Sequence, residues 1–167
     1  MRAYRELVKS LDQLVTVYRH LLDIVRRENE VLVAAEMAQV PEINQAKEKL
    51  VLKIRQLDDS WQASAEKLAK QLRLENMQPT LLELAKNFEG EENTKLEQLH
   101  SVLNMLVNRI SEWNKKNEVL VQAALSHITG AMDSITTTLN ENPTYKNSGN
   151  MEEVNKDAQG RLVHREA

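Results

Sequence analysis

The amino-acid sequence predicts an all-α protein, in which a long antiparallel helical hairpin with coiled-coil-like spacing is followed by a short helix, a second long helix and a disordered C-terminal tail. Three observations predict this fold: the composition, the spacing of the apolar residues, and the places where proline and glycine interrupt them. Among the 167 residues, 41% are apolar and only 4% are aromatic, while glycine and proline are scarce. Such a composition favours long helices over sheets.

The first helix is predicted over residues 3 to 37. From Tyr4 onward the apolar residues recur in alternating steps of three and four, which is the heptad spacing of about 3.5 residues. Glu28 is the one charged residue in this series. The series is Tyr4, Leu7, Leu11, Leu14, Tyr18, Leu21, Val25, Glu28, Leu32 and Ala35.

The second helix is predicted over residues 41 to 76. Pro41 suits the first turn of a helix, where its missing N–H costs nothing, so it marks a restart after a tight bend near residues 37 to 40. A short connection makes the two helices antiparallel neighbours. Lys47 is the charged interruption in the series Val40, Ile43, Lys47, Leu50, Ile54, Leu57, Trp61, Ser64 and Leu68.

The two charged interruptions have opposite signs and are predicted to meet. Pairing positions whose numbers add to about 75 aligns the two apolar series, and the same register places Glu28 opposite Lys47. We expect the pair to fix the register of the hairpin, because a buried ion pair adds little net stability. The alternative is that the two side chains extend into solvent at the edge of the seam.

A short helix and a second long helix are predicted after the hairpin. The short one runs from Pro79 to residue 89 and is ended by Gly90, and the long one runs over residues 93 to 139 with Asn93 or Thr94 as its cap. Its apolar series reaches Leu120 and then shifts by one residue. The shifted series, called the stripe below, is Val121, Leu125, Ile128, Met132, Ile135 and Leu139.

The C-terminal part of the second long helix is amphipathic but intrinsically weak. Serine, threonine and Gly130 replace the strong helix formers there. Residues 1–139 are therefore predicted to form one helical domain, and residues 140–167 a flexible tail that is mostly polar. Tyr145 is an isolated aromatic in that tail, with almost nothing apolar beside it.

Several function classes find no support in the residues. The net charge is −3 and no basic stripe is present, so nucleic-acid binding is not expected. There is no cysteine, and Glu97 and His100 form a single Glu-x-x-His motif where helical di-iron sites need two, so no metal, cofactor or catalytic residue is predicted. No signal peptide or membrane-spanning segment is predicted, which makes the cytoplasm the expected location.

A surface for protein partners is the remaining chemistry. The stripe either binds a partner through anchors at helical spacing or docks on the hairpin of the same chain, and the pattern alone favours neither. Self-association through the stripe is also possible. Asn117, at a seam position, either sets register or contacts a partner.

The order of these features resembles the FlgN-like family of flagellar type III export chaperones. The matching features are the leucine-rich first helix ending around Glu28, the segment QAKEKLVLKI with Lys47, the segment WNKKNEVLVQAAL with Asn114 and Asn117, and Pro143-Thr144-Tyr145 followed by Gly149. The resemblance covers most of the chain. Lys146, Asn147 and Ser148 stand where a Gly/Asp-rich turn is usual in that family.

The resemblance implies a cytoplasmic helical chaperone, not an enzyme, that binds the C-terminal helical segments of hook-filament junction proteins. It would prevent their premature polymerisation and deliver them to the cytoplasmic domain of the flagellar export gate. The weak C-terminal helix, with the stripe, would bind the client, and Tyr145 would dock on the gate. The alternative is a structural coiled-coil or oligomerisation protein without client-chaperone activity.

Overall fold

A computed structural model describes residues 2–74, 76 and 78–141, and these residues form helices and connecting turns without any β-strand. The helices are α1 (Arg2–Val33), α2 (Val40–Leu72), α3 (Leu81–Ala85) and α4 (Glu91–Glu141), with a short 3₁₀ helix at Met37–Gln39 between α1 and α2. The all-α prediction is therefore confirmed. The chain divides into two compact units, Met1–Ala123 and Ala124–Ala167, and α4 runs through the boundary.

The turn after α1 lies four residues earlier than predicted. α1 ends at Val33, not at 37, because Ala35 adopts the left-handed conformation with φ 56°. The amide of Glu36 donates to Val31 O at 3.0 Å and that of Ala35 to Leu32 O at 3.2 Å, which is the hydrogen-bond pattern of a Schellman motif. Alanine gave no sequence signal for this turn, since the position is usually glycine.

The same motif ends α2 at Leu72 instead of the predicted 76. Arg73 has φ 56°, and the amide of Leu74 donates to Ala69 O at 3.0 Å. At its other end, α2 starts at Val40 with Pro41 in its first turn, within one residue of the prediction. The C-terminal ends of α1 and α2 are thus both set by a left-handed residue that is not glycine, which the sequence does not indicate.

The short helix α3 is a single capped turn, shorter than the predicted range 79–89. Thr80 and Glu83 form a capping box: the Thr80 amide donates to Glu83 Oε2 at 2.8 Å, and the Glu83 amide donates to Thr80 Oγ1 at 3.2 Å. This cap fixes the start at Leu81. Beyond Ala85 the amides of Asn87 and Phe88 bond three residues back, so the α-helical pattern ends there.

The second long helix begins at Glu91, not at 93, and extends to Glu141, not 139. Thr94 Oγ1 donates to Gly90 O at 3.0 Å, and Asn93 Nδ2 donates to Ala85 O at 2.9 Å. Both side chains are donors to carbonyls and do not accept from the free amides of the first turn, so neither of the two expected caps acts as one.

The core of the first unit lies between the hairpin, α3 and the N-terminal part of α4. Tyr4 Oη donates to Glu92 O at 3.0 Å, and Asn29 Nδ2 donates to Asn117 Oδ1 at 2.9 Å, so α4 runs parallel to α1 from residue 92 to 117. The largest fully buried side chains are Leu7, Leu11, Leu14, Val25, Leu84 and Leu96. The packing of the second long helix on the hairpin, which the sequence left open, is thus settled for this unit.

Tyr4 closes the end of this core that is farthest from the hairpin bend. Its ring lies 5.0 Å from that of Phe88, between centroids, and its residue is 8% exposed. Burial of the hydroxyl, and to a smaller extent the nearby Glu92 carboxylate, raise the pKa of Tyr4 above its ordinary value. The neutral, hydrogen-bonded hydroxyl is therefore the form that this packing favours.

The contacts between α1 and α2 do not all fall at the predicted register of 75. Ser10 Oγ lies 3.1 Å from Ser60 Oγ, and these two numbers add to 70, not 75. Burial of the hydroxyl and, to a smaller extent, the nearby Asp58 carboxylate raise the pKa of Tyr18, and these two residue numbers add to 76. Glu28 and Lys47 add to 75. The predicted register therefore holds for these two contacts, and the serine pair departs from it by five residues.

Candidate functional site

The stripe on the C-terminal part of α4 is exposed. In the second unit its members Leu125, Ile128, Met132, Ile135 and Leu139 are 58–65% exposed. At 3.6 residues per turn these five side chains fall within an arc of about 80° on one side of the helix. They form a continuous apolar face over four turns.

Val121, the first member of the stripe, lies in the first unit and is 41% exposed. One turn earlier on the same helix, Asn117 is 4% exposed and pairs with Asn29 of α1. Because α1 and α4 are parallel there, Val33 comes level with Val121, and Val33 is the last residue of α1. The end of α1 explains why the buried face of α4 gives way to an exposed one at this point.

The helix that carries the stripe is held by weak local interactions. Five hydroxyls donate to the carbonyl four residues before them, at 2.9–3.0 Å, in a pattern that slightly destabilises and bends helices. They belong to Thr129, Ser134, Thr136, Thr137 and Thr138. Gly130 lies in the middle of this stretch, at a cost of about 1 kcal/mol relative to alanine.

The exposed face has no charged side chain. Between residues 124 and 139, the only ionisable residues are His127 and Asp133, and both lie about 120° from the centre of the stripe. The positions beside the stripe hold alanine and threonine. The arrangement offers apolar contact area without charge complementarity, which suits the apolar side of an amphipathic helix.

A buried polar cluster joins α1, α2 and α4 in the first unit. Lys47 Nζ lies 2.7 Å from Glu28 Oε2, so the predicted contact between these two residues is present. The Glu28 and Lys47 side chains are 11% and 27% exposed. Asn117 Nδ2 donates to the same carboxylate oxygen at 2.9 Å and to Val25 O at 3.0 Å.

The cluster assigns Asn117 to the interior. Its side-chain Nδ2 donates to the Glu28 carboxylate and to the backbone carbonyl of Val25, and its Oδ1 accepts from Asn29. The side-chain hydrogen bonds of Asn117 are therefore made within the chain. Asn29 is the member that sequence reasoning missed. The only signal was its place one residue after Glu28, outside the apolar series. That the ion pair fixes register stays a prediction.

Tyr145 and the predicted flexible tail beyond Glu141 lie outside the described residues. Within the described ranges, no helix is long and apolar enough to cross a membrane, and no group of three or more His, Cys, Asp or Glu side chains could hold a metal ion.

Comparison with models of known protein families gives a match over most of the chain. The family model described as FlgN protein matches residues 1–153 of this chain. No curated protein matches, and no solved structure matches. The family match covers the first unit and residues 124–153 of the second, and so includes the buried cluster and the exposed stripe. The chain therefore belongs to the FlgN family, a family of flagellar export chaperones.

Proposed function

We propose that this protein is a cytoplasmic chaperone of flagellar type III export that binds the C-terminal helical segments of hook-filament junction proteins. Its client-binding residues are Val121, Leu125, Ile128, Met132, Ile135 and Leu139. By covering the apolar side of these segments it prevents premature polymerisation, and it delivers the client to the export gate. The protein itself catalyses no reaction.

The observation that carries the proposal is the exposed stripe. An exposed row of large apolar side chains on one side of a helix marks an interaction surface, because soluble proteins seldom leave such a face uncovered without a use for it. Here the face is four turns long and uncharged, and the chain that carries it belongs to a family of chaperones. A client that polymerises through helices offers the matching apolar side.

The weakness of the same helix supports binding that can be reversed. Ordering a segment on binding typically costs about 2–5 kcal/mol of the gross interaction energy, which lowers affinity and speeds release. Gly130 and the hydroxyls that bond back to the helix backbone make the free helix marginal. A chaperone must hand its client over, so a strong, rigid interface would work against it.

Co-purification tests the proposed function directly. The full chain and a variant lacking residues 121–139 are each mixed with the junction proteins encoded in the same genome. We expect at least one junction protein to be retained by the full chain and lost with the deletion. If the full chain retains none of them, and light scattering instead shows homo-oligomers, the chain is a structural coiled-coil protein.

Docking on the gate is assigned to Tyr145. A tyrosine supplies a large contact area with little side-chain entropy to lose, which suits a pocket on another protein. We expect Tyr145→Ala to leave folding and client binding unchanged while weakening binding to the cytoplasmic domain of the export gate about tenfold or more. Tyr145→Phe is the control that keeps the ring.

The measurements for Tyr145 are titration of the purified gate domain and the amount of client secreted. A loss of client binding in Tyr145→Ala would place the tyrosine in the client interface and contradict the assignment. Full gate binding by Tyr145→Ala would remove the residue from both interfaces.

A further inference from the structure

The exposed face of α4 is wider than the stripe itself. Thr129 and Thr136 flank it on one side, and Ala124 and Ala131 flank it on the other, about 60–80° from its centre. All four side chains are small and uncharged, and three of them are exposed while Ala124 is half-buried. The flanks therefore permit close approach of another helix on either side.

The residue types along the stripe favour more than one neighbouring helix. In heptad notation Leu125, Met132 and Leu139 occupy a positions, and Ile128 and Ile135 occupy d positions. In parallel coiled coils, leucine at a with isoleucine at d shifts the preference from two strands to higher assemblies. The flanking e and g positions, which carry charges in two-stranded coiled coils, carry none here.

The area of the stripe indicates the same arrangement. A fully exposed Leu, Ile or Met side chain contributes on the order of 100 Å² of apolar surface, so five at about three-fifths exposure offer roughly 300 Å². A standard stable interface buries about 800 Å² on each partner. One helix lying on the stripe alone falls well short, and covering both flanks as well requires a second helix.

In the first unit, the same helix already packs against a helical hairpin. Glu28 Oε2 of α1 accepts from Lys47 of α2 and from Asn117 of α4, so the three helices meet at one level. The N-terminal part of α4 is thus the third helix of a bundle.

We propose that residues 124–139 also serve as the third helix of a bundle, and that the client supplies the other two as a pair of amphipathic helices, one on each flank. The partner is thus a helical pair with apolar and small uncharged side chains facing α4. This inference rests on the proposed client binding and specifies the form in which the client is held.

Glutamate on each flank tests the proposal, because a charge at e or g is tolerated when a single helix lies on the a and d positions and is buried when two helices cover the flanks. The variants are Ala124→Glu with Ala131→Glu, and Thr129→Glu with Thr136→Glu. Ser126→Glu with Ser134→Glu, on the opposite side of α4, is the matched control. Circular dichroism verifies that each variant keeps its helix content.

The C-terminal regions of the junction proteins from the same genome are titrated, one at a time, against each variant. We expect both flank pairs to weaken binding about tenfold or more, and the control pair to change it less than about twofold. A flank pair that binds normally, while Ile128→Asp with Met132→Asp does not, contradicts the two-helix arrangement and leaves client binding by the stripe intact.

Two other outcomes would contradict the proposed client binding itself as well as this inference. Normal binding by Ile128→Asp with Met132→Asp, or no binding of any junction protein by the unaltered chain, contradicts both. An unaltered chain that forms trimers or tetramers in light scattering, and is made monomeric by the flank variants, assigns the face to other copies of this chain and contradicts the client assignment.

Discussion

Replacing Ile128 and Met132 together by aspartate is expected to abolish client binding while leaving the free energy of unfolding almost unchanged. The two side chains are 58% and 63% exposed, so little packing is lost in the free protein. In the complex, each aspartate would face apolar client surface. Hot-spot residues at the centre of an interface contribute 2 kcal/mol or more, about 30-fold each, and such contributions are not additive, so a loss of about 100-fold or more is expected from the pair.

Val119→Asp is the matched control for this pair. Val119 is 64% exposed on the same helix, about 160° from the centre of the stripe. The Val119→Asp substitution removes an equally exposed apolar side chain and leaves the stripe unaltered. Isothermal titration with the junction-protein segment that co-purifies measures both variants. Equal losses in the two would show that exposed apolar residues of α4 bind clients without regard to face.

Glu28→Ala is expected to destabilise the first unit by about 3 kcal/mol, the typical cost of breaking a buried ion pair from one side. Its Oε2 accepts from both Lys47 and Asn117, at 2.7 and 2.9 Å, so its removal leaves a charged and a neutral donor without their acceptor. The loss is measured as a lower midpoint of urea unfolding with an unchanged slope. Glu30→Ala, an exposed position two residues on, is expected to stay within about 0.5 kcal/mol.

A double-mutant cycle decides whether the pair acts as a unit. Lys47→Ala alone and Glu28→Ala with Lys47→Ala are expected to lose similar amounts of stability, because the second substitution removes a charge that the first has already left unpaired. Lys49→Ala, at an exposed position of α2, is the control for the lysine. Additive losses from the two single variants would contradict coupling and with it the role in register.

The sequence predicts most of the helical architecture because apolar residues at heptad spacing mark a helix and the side of it that can pack against a neighbour. It also predicts the Glu28–Lys47 contact, since each apolar series has one charged interruption and the signs are opposite. The helix ends were less predictable. Ala35 and Arg73 take the left-handed conformation that glycine usually takes, so the turns after α1 and α2 carried no residue signal.

Tertiary contacts between distant segments could not be predicted at the same level. The Ser10–Ser60 contact depends on how two helices wind around each other and around α4, which no single apolar series encodes. Whether the stripe is buried or exposed could not be predicted either. An apolar series with helical spacing looks the same whether it is buried, like Leu106 and Ile110, or exposed, like Ile128 and Ile135.

Amide hydrogen exchange across α4, with and without the co-purifying junction-protein segment, tests the central claim most directly. In the free protein, we expect residues 124–139 to exchange much faster than residues 96–117, because they lack the packing that holds the first part of the helix. Binding of the client should then slow exchange across 124–139 by about tenfold or more while leaving 96–117 unchanged. Strong protection of 124–139 in the free protein that the client does not alter would contradict the assignment of this face to client binding.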